Sequence, residues 1–197
     1  MNTLMAWIVL PLFLIVWHFG RNKDRLDADI RNWCEWKGEK LTSLAACKFF
    51  ISDKAFRNLV YYRSGPIRIL LSWLFPGYNH LQIITPCNDF GGGCILQHGF
   101  ATIISAKSIG RNCKIYQQVT IGYNHKLEAP IIGDNVEICC GAKIIGGVTI
   151  GNNVLIGANA VVIKDIPDNS IVAGVPAKII GNLPKNGDIF SRVNSIT

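Results

Sequence analysis

Residues 132–166 read I-G-D-N-V-E-I-C-C-G-A-K-I-I-G-G-V-T-I-G-N-N-V-L-I-G-A-N-A-V-V-I-K-D-I. Isoleucine or valine stands at Ile132, Ile138, Ile144, Ile150, Ile156 and Val162, each six residues after the last. Four positions after each comes a second apolar side chain, at Val136, Ala142, Val148, Val154, Ala160 and Ile166. The same beat runs earlier through Ile109, Ile115 and Ile121, followed by Cys113 and Val119. Six residues turn a helix by about 240°, so an aliphatic row at this spacing would wander around the cylinder. A flat sheet would give alternation within separate strands, with no reason to keep one period throughout. One short strand plus one turn per hexad accounts for the pattern. The aliphatic residue points inward, the small residue fits beneath a corner, and glycine or asparagine supplies a turn with φ > 0. Gly110, Gly122, Gly133, Gly151 and Gly157 follow aliphatic positions, and Asn112, Asn135, Asn153 and Asn159 recur in the turns. Three hexads close a triangular coil of about 18 residues, so residues 83–180 make roughly five coils. The fold expected is mainly β, a parallel β-helix preceded by a short helical region.

The beat fails once. Residues 123–130, Y-N-H-K-L-E-A-P, place Lys126 where an aliphatic residue is due. The period resumes at Ile132, so this stretch reads as a loop thrown out from one edge of the coil. Such insertions gather on binding faces.

Upstream, residues 3–19 form an apolar run of 17 positions without a formal charge, followed by Arg21, Lys23 and Arg25. Seventeen is the lower limit for a membrane span. With Trp7, Trp17 and the basic flank, the run is expected to anchor the chain at a membrane, spanning it or lying at its interface, with the rest cytoplasmic. A buried apolar helix is the alternative reading. Residues 21–80 mix charged and apolar positions near helical spacing, and Pro66 and Pro76-Gly77 bound a second apolar run at 67–75. The expected division is therefore a leader at 1–20, a basic helical region at 21–80, the coil at 81–181 and a polar tail at 182–197.

Apolar residues make up 49% of the 197 and charged residues 17%, which excludes a disordered, highly charged chain. The net charge is +7, of which residues 1–80 carry 11 − 6 = +5, away from the repeat. No nucleic-acid-reading motif accompanies it. Seven cysteines without a C-x-x-C spacing argue for reduced, mostly buried thiols rather than a disulfide framework or a zinc site.

Three stretches resemble the hexapeptide-repeat acyltransferases, and within them the serine acetyltransferase-like branch. They are G-G-G-C-I-L-Q-H-G at 91–99, I-Y-Q-Q-V-T-I-G at 115–122, and I-K-D-I-P-D-N-S-I-V-A-G-V-P-A-K-I-I at 163–180. The resemblance covers residues 82–181 and implies a left-handed β-helix, a homotrimer, sites between subunits, and acetyl-CoA as co-substrate. It places the catalytic base on His98, in L-Q-H-G-F. An imidazole suits that task, since its ordinary pKa lets it take a proton near neutrality and return it to a leaving thiolate. The resemblance also implies that Cys140 and Ala158 line the pantetheine track and that Lys164 and Lys178 meet the CoA phosphates. His125, in the ejected loop, is a second catalytic candidate.

The resemblance is incomplete at the acceptor side. Gln97 stands where the serine enzymes carry an acid, Ile83 where they carry a histidine-orienting aspartate, and Ala129 where they carry a second histidine before Pro130. Asp89 or a backbone carbonyl is left to orient His98. The expected function is therefore O-acetylation of a sugar hydroxyl in surface-polysaccharide assembly, with serine O-acetylation as the alternative. A non-catalytic or metal-binding β-helix is a third reading. His80, His98 and His125 lie 18 and 27 residues apart, a poor zinc spacing.

Overall fold

Strands of two to five residues stack into three faces in the computed structural model, which describes residues 3–184. The first face comprises Leu81–Ile83, Thr102–Ile104, Thr120–Gly122, Lys143–Ile145 and Val161–Val162, all parallel. The second comprises Ser108–Ile109, Ile131–Ile132 and Thr149–Ile150, extended by single bridges at Phe90 and Ile166. The third runs from Ile95–Leu96 through Lys114–Ile115, Glu137–Ile138 and Leu155–Ile156 to Ser170–Ala173. Lys178–Asn182 then folds back antiparallel on the last of these. The chain visits the faces in rotation, so it winds five coils of a parallel β-helix.

The register follows from the six-residue period. Ile121 sits over Ile144 and Ile144 over Val162, while Ile115, Ile138 and Ile156 form the matching column on the third face. Every aliphatic and small position of the period is buried. Burial of each Ile or Val side chain contributes about 1.5–3 kcal/mol, so the column is the main source of cohesion. Residues 123–130 leave the prism at the edge between first and second faces, as the broken period requires.

Corner chemistry divides differently from expectation. The asparagines do take the left-handed conformation, with φ of 55° at Asn112, 56° at Asn135, 57° at Asn153 and 56° at Asn159. The glycines that follow aliphatic positions do not. Gly91, Gly110, Gly133 and Gly151 stack so closely that a Cβ on Gly110 would lie 2.5 Å from the Gly133 carbonyl, and one on Gly133 2.8 Å from that of Gly151. Their role is close approach of coil on coil.

Five helices precede the coil: α1 (Thr3–Phe19), α2 (Lys23–Trp36), α3 (Ser43–Ser52), α4 (Lys54–Ser64) and α5 (Ile69–Ser72). Thr42 caps α3 by accepting from the Ala45 amide, and Asp53 caps α4 by accepting from Ala55 and Phe56. A 3₁₀ turn, Gly65–Arg68, joins α4 to α5. The leader does not stand apart from the other helices. Ala6, Val9, Phe13 and Val16 fall on one face of α1 and pack into a second core with Leu26, Trp33, Phe50, Phe56 and Ile95. Among the described residues no helix is long and apolar enough to cross a membrane.

Polar side chains of the helices grip the segment that enters the first full coil. Arg63 and Asp29, both fully buried, pair at 2.8 Å. Arg63 also donates to the carbonyls of Phe90 (2.7 Å) and Gly91 (2.6 Å), and Asp29 accepts from the Cys94 amide (2.7 Å). Asn32 donates to Gly93 O and Trp33 to Cys94 O. Asp29 strongly favours the charged state of Arg63, raising its pKa despite burial. Of the expected tail, only its first residues fall within those described.

Candidate active site

His98 follows the strand Ile95–Leu96 after one intervening residue, Gln97, at the edge where the third face turns into the first. It is exposed and left-handed, with φ of 62°, and Gly99 and Ala101 share that conformation at 49° and 50°. Non-glycine residues rarely adopt it, and its cost is borne by the surrounding contacts. Gly99 packs where a Cβ would lie 2.9 Å from that of Ala55, so α4 closes against the turn.

A residue that the periodicity does not reveal holds this turn from its N-terminal side. The Ala101 amide donates to His80 Nδ1 (3.1 Å), and the Thr102 amide to His80 O (3.1 Å). Accepting at Nδ1 leaves the proton of a neutral His80 ring on Nε2. The ring lies 4.9 Å from that of Tyr78 and 6.3 Å, edge on, from Phe100. The sequence signal for it was slight: His80 precedes the first regular beat and has no partner at a recognisable spacing.

Below His98 the same edge descends coil by coil. The Gln118 amide donates to Phe100 O, that of Gly141 to Gln117 O, and that of Asn159 to Cys140 O. Cys140 and Ala158 therefore lie on the edge that carries His98. Lys178, opposite Ala173 in the last hairpin, closes its lower end. From the strand before His98 to Ser170–Ala173 is four strand spacings, or about 19 Å. Gln97 Oε1, just before His98, and Gln117 Oε1, at the same edge one coil further on, are buried acceptors without a hydrogen-bond partner. Cys139 is pushed up to about 11 by burial, with Glu137 and Cys140 adding to the effect, so it stays a thiol.

His125 and Lys164 lie elsewhere. Both belong to the edge between the first and second faces, across the whole first face from His98. The His125 loop is ordered by Asn124, whose Oδ1 accepts from the Lys126 and Glu128 amides and whose Nδ2 donates to Glu128 Oε2. It presents Leu127 to solvent. Asp89 occupies a 3₁₀ turn between the first and second faces, and the strand residue Ile83 packs against the core, so neither stands on the His98 edge. A cavity of 420 Å³ opens next to the strand Leu81–Ile83, lined by Asn58, Tyr62, Arg68, Tyr78 and Ile83 among others. His98 is not in its wall. No three of the described His, Cys, Asp or Glu side chains come together as a metal site.

The bacterial transferase hexapeptide family (six repeats) matches residues 129–164. The chain is 42% identical over 140 residues to the serine acetyltransferase of Staphylococcus aureus (strain N315), covering 69% of this chain and 63% of that one. It is 36% identical over 140 residues to the serine acetyltransferase of Staphylococcus epidermidis (strain ATCC 12228), with the same coverage. The chain thus spans about 63% of the length of these curated relatives. In fold it resembles the serine acetyltransferase of Brucella abortus, with a TM-score of 0.63 and 24% identity over 82% of this chain and 69% of that one. A serine acetyltransferase of Neisseria gonorrhoeae, in complex with serine, gives a TM-score of 0.60 and 25% identity, covering 80% and 68%.

Proposed function

We propose that this hexapeptide-repeat protein of the serine acetyltransferase type transfers acetyl from acetyl-CoA to a hydroxyl, with serine the favoured acceptor. The observation that carries the reading is the single edge shared by His98, Cys140, Ala158 and Lys178, a track about 19 Å long that suits an extended thioester donor. Every relative named above is a serine acetyltransferase, which favours serine over the expected sugar hydroxyl. Nothing in those relatives supports a role in polysaccharide assembly.

In this reading His98 accepts the acceptor's hydroxyl proton as the oxygen attacks the thioester carbonyl. The tetrahedral adduct collapses, the C–S bond breaks, and the imidazolium returns its proton to the departing CoA thiolate. His80 and α4 hold the turn. Cys140 and Ala158 flank the pantetheine, and Lys178 serves a CoA phosphate as a point charge.

His125 and Lys164 act, in the same proposal, on a neighbouring copy. A threefold assembly would set one chain's ejected loop against the next chain's His98 edge, which one chain alone cannot do. Release of CoA thiol by the purified full-length protein tests the function, comparing L-serine with sugar acceptors. Turnover of L-serine is expected. Turnover confined to sugars would restore the sugar reading, and thiol release with neither acceptor would refute both.

A further inference from the structure

The helical region presents to solvent an apolar surface that the second core leaves uncovered. While Ala6, Val9, Phe13 and Val16 of α1 face inward, Leu4, Trp7, Ile8, Leu12, Ile15 and Phe19 face outward. Ile8 is 72% exposed and Phe19 75%. The spacing of that outer set, near three and four residues, is itself a helical stripe. α5 and its flank, which pack against α1, add Ile69, Leu70, Leu74 and Trp73, the last 86% exposed. A helix apolar on both sides is ordinarily buried on both sides, and exposed apolar patches larger than a few hundred square ångströms mark interaction sites.

Charge identifies what covers it. No Asp or Glu occurs before Asp24, nor between Asp53 and Asp89. Arg21, where α1 ends, packs its side chain beside Gly65. Arg68 immediately precedes Ile69. Both are exposed, so the apolar face ends in a basic rim. From Arg21 the basic character continues into a cleft of 630 Å³ lined also by Lys23, Arg25 and Arg111, with Asp24 as its one acid. A second copy packed by a twofold would set this basic rim close to its own image, with Asp24 the one acid of the cleft to offset four cations. A bilayer carrying anionic phospholipids satisfies both parts: acyl chains take the apolar face, headgroups meet the arginines, and Trp7 and Trp73 suit the interface.

We infer that α1 and α5 together form an interfacial docking face for an anionic lipid bilayer, lying in the membrane plane rather than crossing it. This is independent of the acetyl-transfer reading.

Co-sedimentation of the full-length protein with vesicles tests it, using phosphatidylcholine alone and phosphatidylcholine mixed with phosphatidylglycerol. The protein is expected to pellet with the anionic vesicles, less so at high salt. The pairs Ile8→Ser/Trp73→Ser and Arg21→Glu/Arg68→Glu should each weaken binding at least about tenfold while circular dichroism stays unchanged. The charge pair leaves the packed core untouched, so it decides the matter if the serine pair misfolds. Wild-type protein that stays in the supernatant, or variants that bind equally well, overturn the proposal. So does a serine pair whose only effect is a smaller assembly in light scattering, since a second copy then covers the face.

Discussion

Replacing Arg63 by Met isolates the interaction that ties the helical region to the coil. The substitution keeps a long apolar stem but removes the partner of a fully buried carboxylate and the donor to one buried and one half-buried carbonyl. Asp29 is then left with backbone amides, chiefly that of Cys94, and no cation. Breaking a buried pair in this way costs about 3–5 kcal/mol, because the remaining charge is desolvated without compensation. The orphaned Phe90 and Gly91 carbonyls push the figure towards the upper end. A cost of about 4 kcal/mol is a large share of a total of roughly 5–15 kcal/mol and lowers the melting temperature by about 8–16 °C in a chain of this size. The second arm of the experiment is Asp29→Asn in the same background. An amide oxygen still accepts from Cys94 but carries no charge, so the double variant should be more stable than Arg63→Met alone, by about 1–2 kcal/mol. Urea unfolding followed by circular dichroism reads both. A single variant within about 1 kcal/mol of wild type, or a double variant no better than the single, would refute the reasoning.

Three further outcomes follow from the same contacts. His80→Ala should lower kcat about tenfold through loss of the acceptor for Ala101, while His80→Asn, whose Oδ1 can stand in for Nδ1, restores most of it; equal loss in both would remove His80 from the account. Ile144→Ala opens a void in the central column and should cost about 2–5 kcal/mol by urea unfolding, whereas the exposed Ile163→Ala should change stability by less than about 0.5 kcal/mol. Cys113 is pushed up to about 12 by burial, against an ordinary value of 9.0, so folding holds it as a thiol. That contribution is complete below pH 9 and is lost as pH rises from 9 towards 12, so Cys113→Ala should flatten the alkaline fall in stability, and an unchanged fall would contradict the assignment.

The coil was legible because its physics is one-dimensional. Each hexad repeats the same three demands, an inward aliphatic, a small corner residue and a turn, and Ile132 to Ile166 state them with little noise. The same regularity made the 123–130 loop visible by its absence of beat. The helical region was legible only as helices. An apolar run of 17 reads alike whether it crosses a bilayer, lies on one or packs in a core, because what separates these is the location of partners. Phe50 reaches Phe13 of α1 from α3, and Arg63 meets Asp29 across 34 residues. The column glycines were visible as a pattern but misread in cause, since a close approach and a left-handed turn both call for glycine. Of the candidate site, His98, Cys140, Ala158 and Lys178 share one edge. His125 and Lys164 share another, and only a neighbouring copy would unite the two. His80 carries no motif of its own and emerges only where Ala101 meets its ring.

Thiol release from acetyl-CoA with L-serine, compared between wild type and His98→Ala at equal concentration, tests the acetyl-transfer claim most directly. Removal of a general base should lower the rate about 10²–10⁴-fold while the circular dichroism of the coil is unchanged. A folded variant that turns over within about threefold of wild type would show that the imidazole at this edge is not the base.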